Sequence, residues 1–389
     1  NEVFLNTVLN NFKETIFTTI TELARANDAV NLGQGFPDFD GPDWIKEHAK
    51  QAIDAGFNQY APMIGAQSLR ESLAEVYRRQ YQVELDSLSE ITVHAGATEA
   101  IFTTILALCN PGDEVIVFEP FYDSYIASIR LARAIPKVVT LRYENNFSFD
   151  PDDLKKAIGP KTKMILFNSP HNPTGKIFNQ KEIAELVSVA KENDLYLLSD
   201  EVYEYLAFSS KHQTLATLIK DFPKLIVVSS AGKTFGLTGW KIGWTLAQAQ
   251  TSKAIRMVRQ FTTFSVSHPM QVAVAKAMQE LDRYIPEFRS LYLGKMKLFT
   301  EGMSRLGLPI IIPQGTYFSL LPVPAGFNDV SFCETLIKKF KVAAIPPSAF
   351  YLDSNEGSRY VRFCFAKKDE TLQLALQRLK TLPELYLNK

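Results

Sequence analysis

Several things are scarce or missing in this sequence, and each shortage excludes a class of function. Only three cysteines occur among 389 residues. Cys109, Cys333 and Cys364 lie far apart and have no zinc-type spacing. They read as buried thiols of a reducing compartment, so a cytoplasmic location is expected. Histidine is also rare, and His94, His171 and His268 form no ligand pattern, so no metal is expected. His171, between Pro170 and Asn172, is expected either to line the site or, in preference, to serve the packing of its loop. No apolar run of about 20 residues exists, so no membrane span is expected. The stretch from Asn1 to Thr21 lacks the basic patch and apolar run of a secretory leader. An excess of one charge is absent too: 42 Lys and Arg balance 42 Asp and Glu, for a formal net charge of +0. Nucleic acid is therefore not expected as a partner. A local positive pocket remains allowed, and self-association is not opposed by repulsion.

Two nucleotide motifs are also missing. Ser230-Ala231-Gly232-Lys233-Thr234 follows an apolar run and resembles the end of a phosphate loop, but that loop needs Gly where Val227 stands. Gly232, Gly236 and Gly239 do not have dinucleotide-fingerprint spacing.

What is present is an alternation of short apolar runs with helical patterns, the mark of a parallel α/β sheet. Strands are expected at 90–94 (EITVH), 114–118 (EVIVF), 164–168 (MILFN), 195–199 (LYLLS) and 225–229 (LIVVS). Helices are expected at 97–108, 122–132 and 182–192 between them. Ligands of such a sheet sit at the carboxyl ends of its strands. Beyond about Gln250, helical patterns cover 252–259 and 270–279, and Pro286 opens or interrupts another near 287–306. Runs at 315–321, 342–345 and 360–365 read as strands of a separate small sheet, closed by a helix at 371–382. The expected division is an N-terminal segment 1–40 that packs with the later part, a large domain 41–280 and a small domain 281–389.

Three clusters at expected strand ends carry chemistry. A lysine such as Lys233 is ordinarily a solvated charge. In a desolvated pocket it becomes a nucleophilic amine able to condense with an aldehyde cofactor. Asn168-Ser169-Pro170-His171-Asn172-Pro173-Thr174-Gly175 follows MILFN and is at least a constrained turn. It could also offer Asn172 as a fixed donor to a phenolate-type oxygen. Asp200, after LYLLS, either caps the following segment or meets a cation such as a protonated pyridine nitrogen.

Together, Asn172-Pro-Thr-Gly, Asp200-Glu-Val-Tyr and Ser230-x-x-Lys-Thr-Phe-Gly-x-x-Gly-Trp-Lys-x-Gly resemble the fold-type I, class I/II aminotransferases. The kynurenine (glutamine) aminotransferase and bacterial methionine aminotransferase branch is nearest in likeness. Asn31-Leu-Gly-Gln-Gly-Phe-Pro-Asp-Phe39, Asn58-Gln-Tyr-Ala-Pro62, Ala95-Gly-Ala-Thr-Glu99 and Val361-Arg-Phe-Cys-Phe365 agree, so the likeness runs from about Phe17 to Leu382. The resemblance implies the α/β aspartate aminotransferase-like fold, a large domain with a mainly parallel seven-stranded sheet and a smaller α+β domain. It implies pyridoxal 5'-phosphate as cofactor, amino acids and 2-oxo acids as substrates, a ping-pong route and a homodimer with shared active sites.

By the same likeness Lys233 carries the cofactor and moves the proton, Asp200 pairs with the ring nitrogen, and Asn172 and Tyr203 bond the 3′ oxygen. Tyr122 stacks on the ring. Gly96, Ala97, Thr98, Ser230 and Lys241 bind the phosphate, Lys241 standing where much of the wider family has Arg. Tyr60 matches a residue reaching the neighbouring subunit's phosphate. Arg362 clamps the substrate carboxylate, helped by Gly35 and Asn168; its plain alternative is a structural ion pair. Phe36, Tyr60, Tyr122 and Phe264 are expected to wall the side-chain pocket, although aromatics are more often plain core. No second arginine for a side-chain carboxylate is evident, so neutral donors of the methionine, glutamine or aromatic type, including kynurenine, are expected. A cysteine-conjugate β-lyase on the same site is the alternative; a non-enzymatic regulator is disfavoured, because there is no room for an appended DNA-binding module.

Overall fold

The computed structural model describes residues 6–8, 12 and 15–387. The remaining residues, which belong to the expected segments 1–40 and 281–389, lie outside the described part. In chain order the strands are β1 (Val30–Asn31), β2 (Ile91–His94), β3 (Glu114–Glu119), β4 (Ile135–Thr140), β5 (Thr162–Asn168), β6 (Tyr196–Asp200), β7 (Leu225–Ser230), β8 (Gly243–Ala247), β9 (Phe318–Pro322), β10 (Val342–Ala343) and β11 (Tyr360–Cys364).

A seven-stranded sheet runs in the order β2-β8-β7-β6-β5-β3-β4. All neighbouring pairs are parallel except those of β8, which lies antiparallel to β2 and β7. Side chains alternate between two apolar layers. Ile165, Leu197 and Val227 join one and Leu166, Leu198 and Val228 the other. Burial on both faces explains why these strands read as continuous apolar runs.

Two strands of this sheet were not legible in the sequence. In β4, Ile135 and Lys137 are exposed, and Pro136 interrupts the pattern. An edge position accommodates that proline, because its missing N–H withdraws nothing from a neighbour. The other is β8. Its antiparallel direction brings its start, next to Lys241, to the same edge as the carboxyl ends of its partners.

The later part departs in detail from one small sheet. Strands β9 and β11 pair antiparallel, whereas β10 pairs in parallel with β1 from the chain's start. The helix Leu281–Arg305 runs through Pro286 without a break, at the loss of one i to i−4 hydrogen bond.

Candidate active site

The carboxyl ends of β2, β3, β5, β6 and β7 open on one cavity of about 320 Å³. At one end the helix Gly96–Leu108 begins without a side-chain cap, so its first N–H groups face the cavity. Gly96 has φ +82°, and a Cβ there would come to 3.0 Å from the Lys241 Nζ. Gly243 is similarly constrained, since a Cβ would sit 2.7 Å from the Ala97 nitrogen. Lys241 itself adopts left-handed backbone, φ 55° and ψ 49°. That conformation costs a non-glycine residue about 1 kcal/mol or more and here turns the ammonium toward the helix start. Buried Ser230 completes this cradle with Ala97 and Thr98.

The middle of the cavity holds Asp200, which is buried, and Lys233, which is half-buried. Tyr125 OH donates to Asp200 Oδ2 at 2.5 Å, and the Val202 N–H donates to Oδ1 at 3.2 Å. Burial nevertheless pushes the Asp200 carboxyl up to about 6, against the lowering effect of those bonds and of Lys233. Burial pushes the Lys233 amine down to about 8, opposed by Cys364 and Asp200 and assisted by Lys241 and Arg362. Lys233 Nζ donates to Tyr317 OH at 2.9 Å, and Tyr317 OH donates to the Gly35 carbonyl at 2.8 Å. Tyr203 packs edge-on against Tyr317, with ring centroids 5.3 Å apart, and burial raises its phenol.

At the far end stands Arg362 on β11, buried, its Cζ 4.1 Å from the centre of the Phe318 ring. Nη1 donates to Asn172 Oδ1 and Nη2 to the Gly33 carbonyl, each at 3.0 Å. Nε is buried with no partner. A guanidinium held by neutral oxygens in a dry site is a receptor for a carboxylate. Gly35 lets the chain pass close by, since a Cβ there would meet Phe318 Cζ at 3.0 Å.

The cavity thus gathers Gly35, Phe36, Gly96, Ala97, Thr98, Tyr122, Asn168, Asn172, Asp200, Tyr203, Ser230, Lys233, Lys241 and Arg362, all picked out in the sequence. Tyr60 and Phe264 do not line it within this chain. They stack edge-to-face at 5.5 Å on the surface, Tyr60 81% and Phe264 47% exposed. They therefore cannot form cavity walls without a second molecule. Asn168 lines the cavity with its amide already committed: Nδ2 donates to the Asp200 carbonyl, and Oδ1 accepts the Asn172 N–H. It braces the two loops rather than offering a free donor. His171 bonds Thr174 Oγ1 at 2.7 Å within its own loop, and burial pushes its imidazole down to about 3.

Tyr125, Tyr317, Phe318, Phe17 and Gln34 also line the site or hold its groups, and were not anticipated. Tyr125 had a usable signal in its nearness to Tyr122: it lies in the first turn of the helix that Tyr122 precedes, and the two rings meet edge-on at 5.7 Å. Tyr317 had none, since 84 residues separate it from Lys233.

Three observations test whether these residues fit pyridoxal phosphate. The cradle of helix N–H groups, Ser230 and Lys241 suits a phosphate. The buried Asp200 carboxylate has hydroxyl and amide donors but, among the described residues, no bonded cation, the place for a protonated ring nitrogen. The Lys233 amine, lowered to about 8, keeps a usable neutral fraction near neutral pH and so suits an aldehyde. The residues fit.

Residues 27–379 match the family described as aminotransferase class I and II. The chain is 39% identical to the methionine aminotransferase of Escherichia coli, over 95% of this chain and 96% of that protein. It is 35% identical to the kynurenine–oxoglutarate transaminase of Dictyostelium discoideum, over 96% and 95% of the two chains. The solved N-succinyldiaminopimelate aminotransferase of Mycobacterium tuberculosis superposes with a TM-score of 0.93 at 37% identity, covering 97% of this chain and 100% of that one.

Proposed function

The chain belongs to the class I and II aminotransferases, a pyridoxal-phosphate-dependent family, and from that premise we propose that it moves the amino group of a neutral L-amino acid to a 2-oxo acid in two alternating half reactions. Donors of the methionine, glutamine or aromatic type, kynurenine among them, suit the cavity. When bound, pyridoxal phosphate supplies an aldehyde to take up the amino group and a cationic ring to draw electrons from Cα.

The chain's own residues do the rest. Gly96, Ala97, Thr98, Ser230 and Lys241 would hold the phosphate, and Tyr122 would face the ring. The remaining donor of Asn172, its Nδ2, and the Tyr203 hydroxyl would hold the 3′ oxygen. Asp200 would keep the ring nitrogen protonated and so sustain the electron demand. Lys233 would hold the aldehyde carbon at rest, and its freed amine would be the base that takes the proton from the donor's Cα and gives it back. An amine near 8 is an effective base at neutral to mildly alkaline pH. Arg362 fixes the α-carboxylate, so every donor presents Cα to Lys233 in the same place. Asn168 and Gly35 shape that end, and Phe36 closes the mouth.

The observation that carries the preference for neutral donors is the set of cations facing the cavity among the described residues: Lys233, Lys241 and Arg362. Proton transfer, phosphate and α-carboxylate occupy all three, which leaves none for a side-chain carboxylate. The exposed Tyr60–Phe264 pair offers an aromatic surface suited to a second copy. In such a homodimer Tyr60 reaches the neighbour's phosphate and the site becomes shared.

The test is a donor screen by half reaction with the cofactor-loaded enzyme and no acceptor. Methionine, glutamine, phenylalanine and kynurenine are expected to convert the cofactor to its amine form at least about tenfold faster than aspartate, the equivalent of one missing ionic contact. Preference for aspartate or another dianionic donor would overturn the assignment. Pyruvate and ammonia release from a thioether donor, with no amine form accumulating, would move the reaction to elimination. Sedimentation of the same enzyme tests the dimer.

A further inference from the structure

Tyr317 lies against the reacting amine, and the roles assigned above leave it unused. It is 1% exposed, so its hydroxyl must find partners inside the protein. It has two: the Gly35 carbonyl, to which it donates at 2.8 Å, and Lys233 Nζ, from which it accepts at 2.9 Å. The direction is fixed by chemistry. A carbonyl can only accept, so the phenolic proton goes to Gly35 and an oxygen lone pair is left for the lysine.

The backbone that carries Tyr317 is held on several sides. The Thr316 N–H donates to the Leu206 carbonyl at 2.8 Å, just beyond the segment bearing Asp200 and Tyr203. The Gly315 N–H donates to the Gly175 carbonyl at 2.8 Å, at the end of the loop bearing Asn172, and the Phe365 N–H donates to the Tyr317 carbonyl at 2.9 Å. The acceptor wall is held equally well. Arg362 binds the Gly33 carbonyl, and Lys367 Nζ binds the carbonyls of Gln34 and Phe36 at 3.2 and 2.7 Å. Four consecutive carbonyls, 33 to 36, thus point at side-chain donors, and the Tyr317 hydroxyl cannot wander.

Resting on the assignment of Lys233 as the working amine, we propose that Tyr317 is a positioning residue for the reaction: its hydroxyl, fixed on the Gly35 carbonyl, holds Lys233 Nζ beside Gly35 whenever that amine is not bonded to the cofactor. A lysine side chain freed from its covalent bond has four rotatable bonds and would sample many positions. The Tyr317 oxygen at 2.9 Å, with the Gly35 carbonyl more distant at 3.5 Å, restricts it to the wall whose Gly33 carbonyl binds Arg362. Tyr317 does not exchange the proton itself, since burial next to Tyr203 keeps its phenol well above the ordinary range and therefore protonated. The other titratable groups acting on Nζ are Asp200, Cys364, Lys241 and Arg362, and its ammonium also lies 5.7 Å from the Tyr203 ring centre.

The test reads the amine directly in the cofactor-free protein. Trace acetic anhydride labels free amines in proportion to their neutral fraction, and peptide mass spectrometry reports Lys233 alone across a pH series. Removal of the acceptor penalises the ammonium more than the neutral amine, so Tyr317→Phe should lower the Lys233 labelling midpoint by about one pH unit. Tyr317→Met, which deletes the hydroxyl with a flexible filler, should shift it the same way and guards against a folding defect in either variant. Tyr292→Phe is the control: its ring stacks on Tyr317 at 6.0 Å without touching Lys233, and the midpoint should stay put. An unchanged midpoint in both Tyr317 variants, or an equal shift in the Tyr292 variant, would overturn the proposal. Cofactor protects Lys233 in the wild type if the amine is assigned correctly. Labelling unaffected by cofactor would instead defeat that assignment, and this proposal with it.

Discussion

Asp200→Asn in the cofactor-free protein should make the fold more stable while abolishing the chemistry. The Asp200 carboxyl is raised from 3.8 to about 6, chiefly by burial. The folded chain therefore holds that proton more tightly than the unfolded chain. Any stability gained is present below the unfolded value and is lost as pH rises through about 6. Above that point the charged side chain burdens the fold by roughly 3 kcal/mol, about two pKa units at 1.4 kcal/mol each. Asparagine removes the charge and can still accept from Tyr125, but its NH₂ cannot accept from the Val202 N–H. That loss costs about 1 kcal/mol, and Lys233 loses a favourable neighbour. A net gain of about 1–2 kcal/mol remains. For a chain of 389 residues this raises the melting temperature by about 2 °C. Calorimetry of both cofactor-free proteins at about pH 7.5 and about pH 4 is the assay. The gain should appear at the higher pH and vanish at the lower. A variant less stable than wild type at the higher pH, or equally improved at both, would refute the reasoning.

Arg362→Lys should raise the KM for the amino donor by about a hundredfold in steady-state kinetics, because an ammonium cannot reproduce the fork now spread over Asn172 and Gly33. Lys241→Met should weaken cofactor retention on dialysis by about tenfold with little change in melting temperature of the cofactor-free chain, since the lost ammonium serves the phosphate and not the fold. Gly175→Ala should destabilise the protein by about 2 kcal/mol or more in urea titration. Its φ is +72°, and the new Cβ would press to 2.4 Å from Pro313 Cβ.

What could be read in advance follows from how local each feature is. Asn168, Asp200 and Ser230 end buried strands whose apolar runs are unmistakable, so their meeting at one edge followed from the rule that parallel strands present their carboxyl ends together. The likeness of short motifs then assigned roles to them. Lys241 was placed in the cradle by that likeness alone. The physical reason lies in the antiparallel course of β8, which its sequence Gly-Trp-Thr-Leu-Ala does not announce. Strand β4 was hidden by Pro136, tolerated at an edge that only the full strand order reveals. The brace formed by Asn168 and the hold of Tyr317 on Lys233 depend on side chains joined across 32 and 84 residues, and no periodicity encodes such contacts. Tyr60 and Phe264 mark the opposite limit. The sequence reading named both as site residues, but a single chain leaves them on the surface.

All of this turns on which side chain forms the bond with the cofactor. Borohydride reduction of the cofactor-loaded enzyme, followed by proteolysis and mass mapping, fixes that bond permanently and identifies its owner. The account predicts a single modified peptide bearing the cofactor on Lys233. A label on Lys241 or Lys367 instead, or a protein that retains cofactor with no reducible bond, would contradict it.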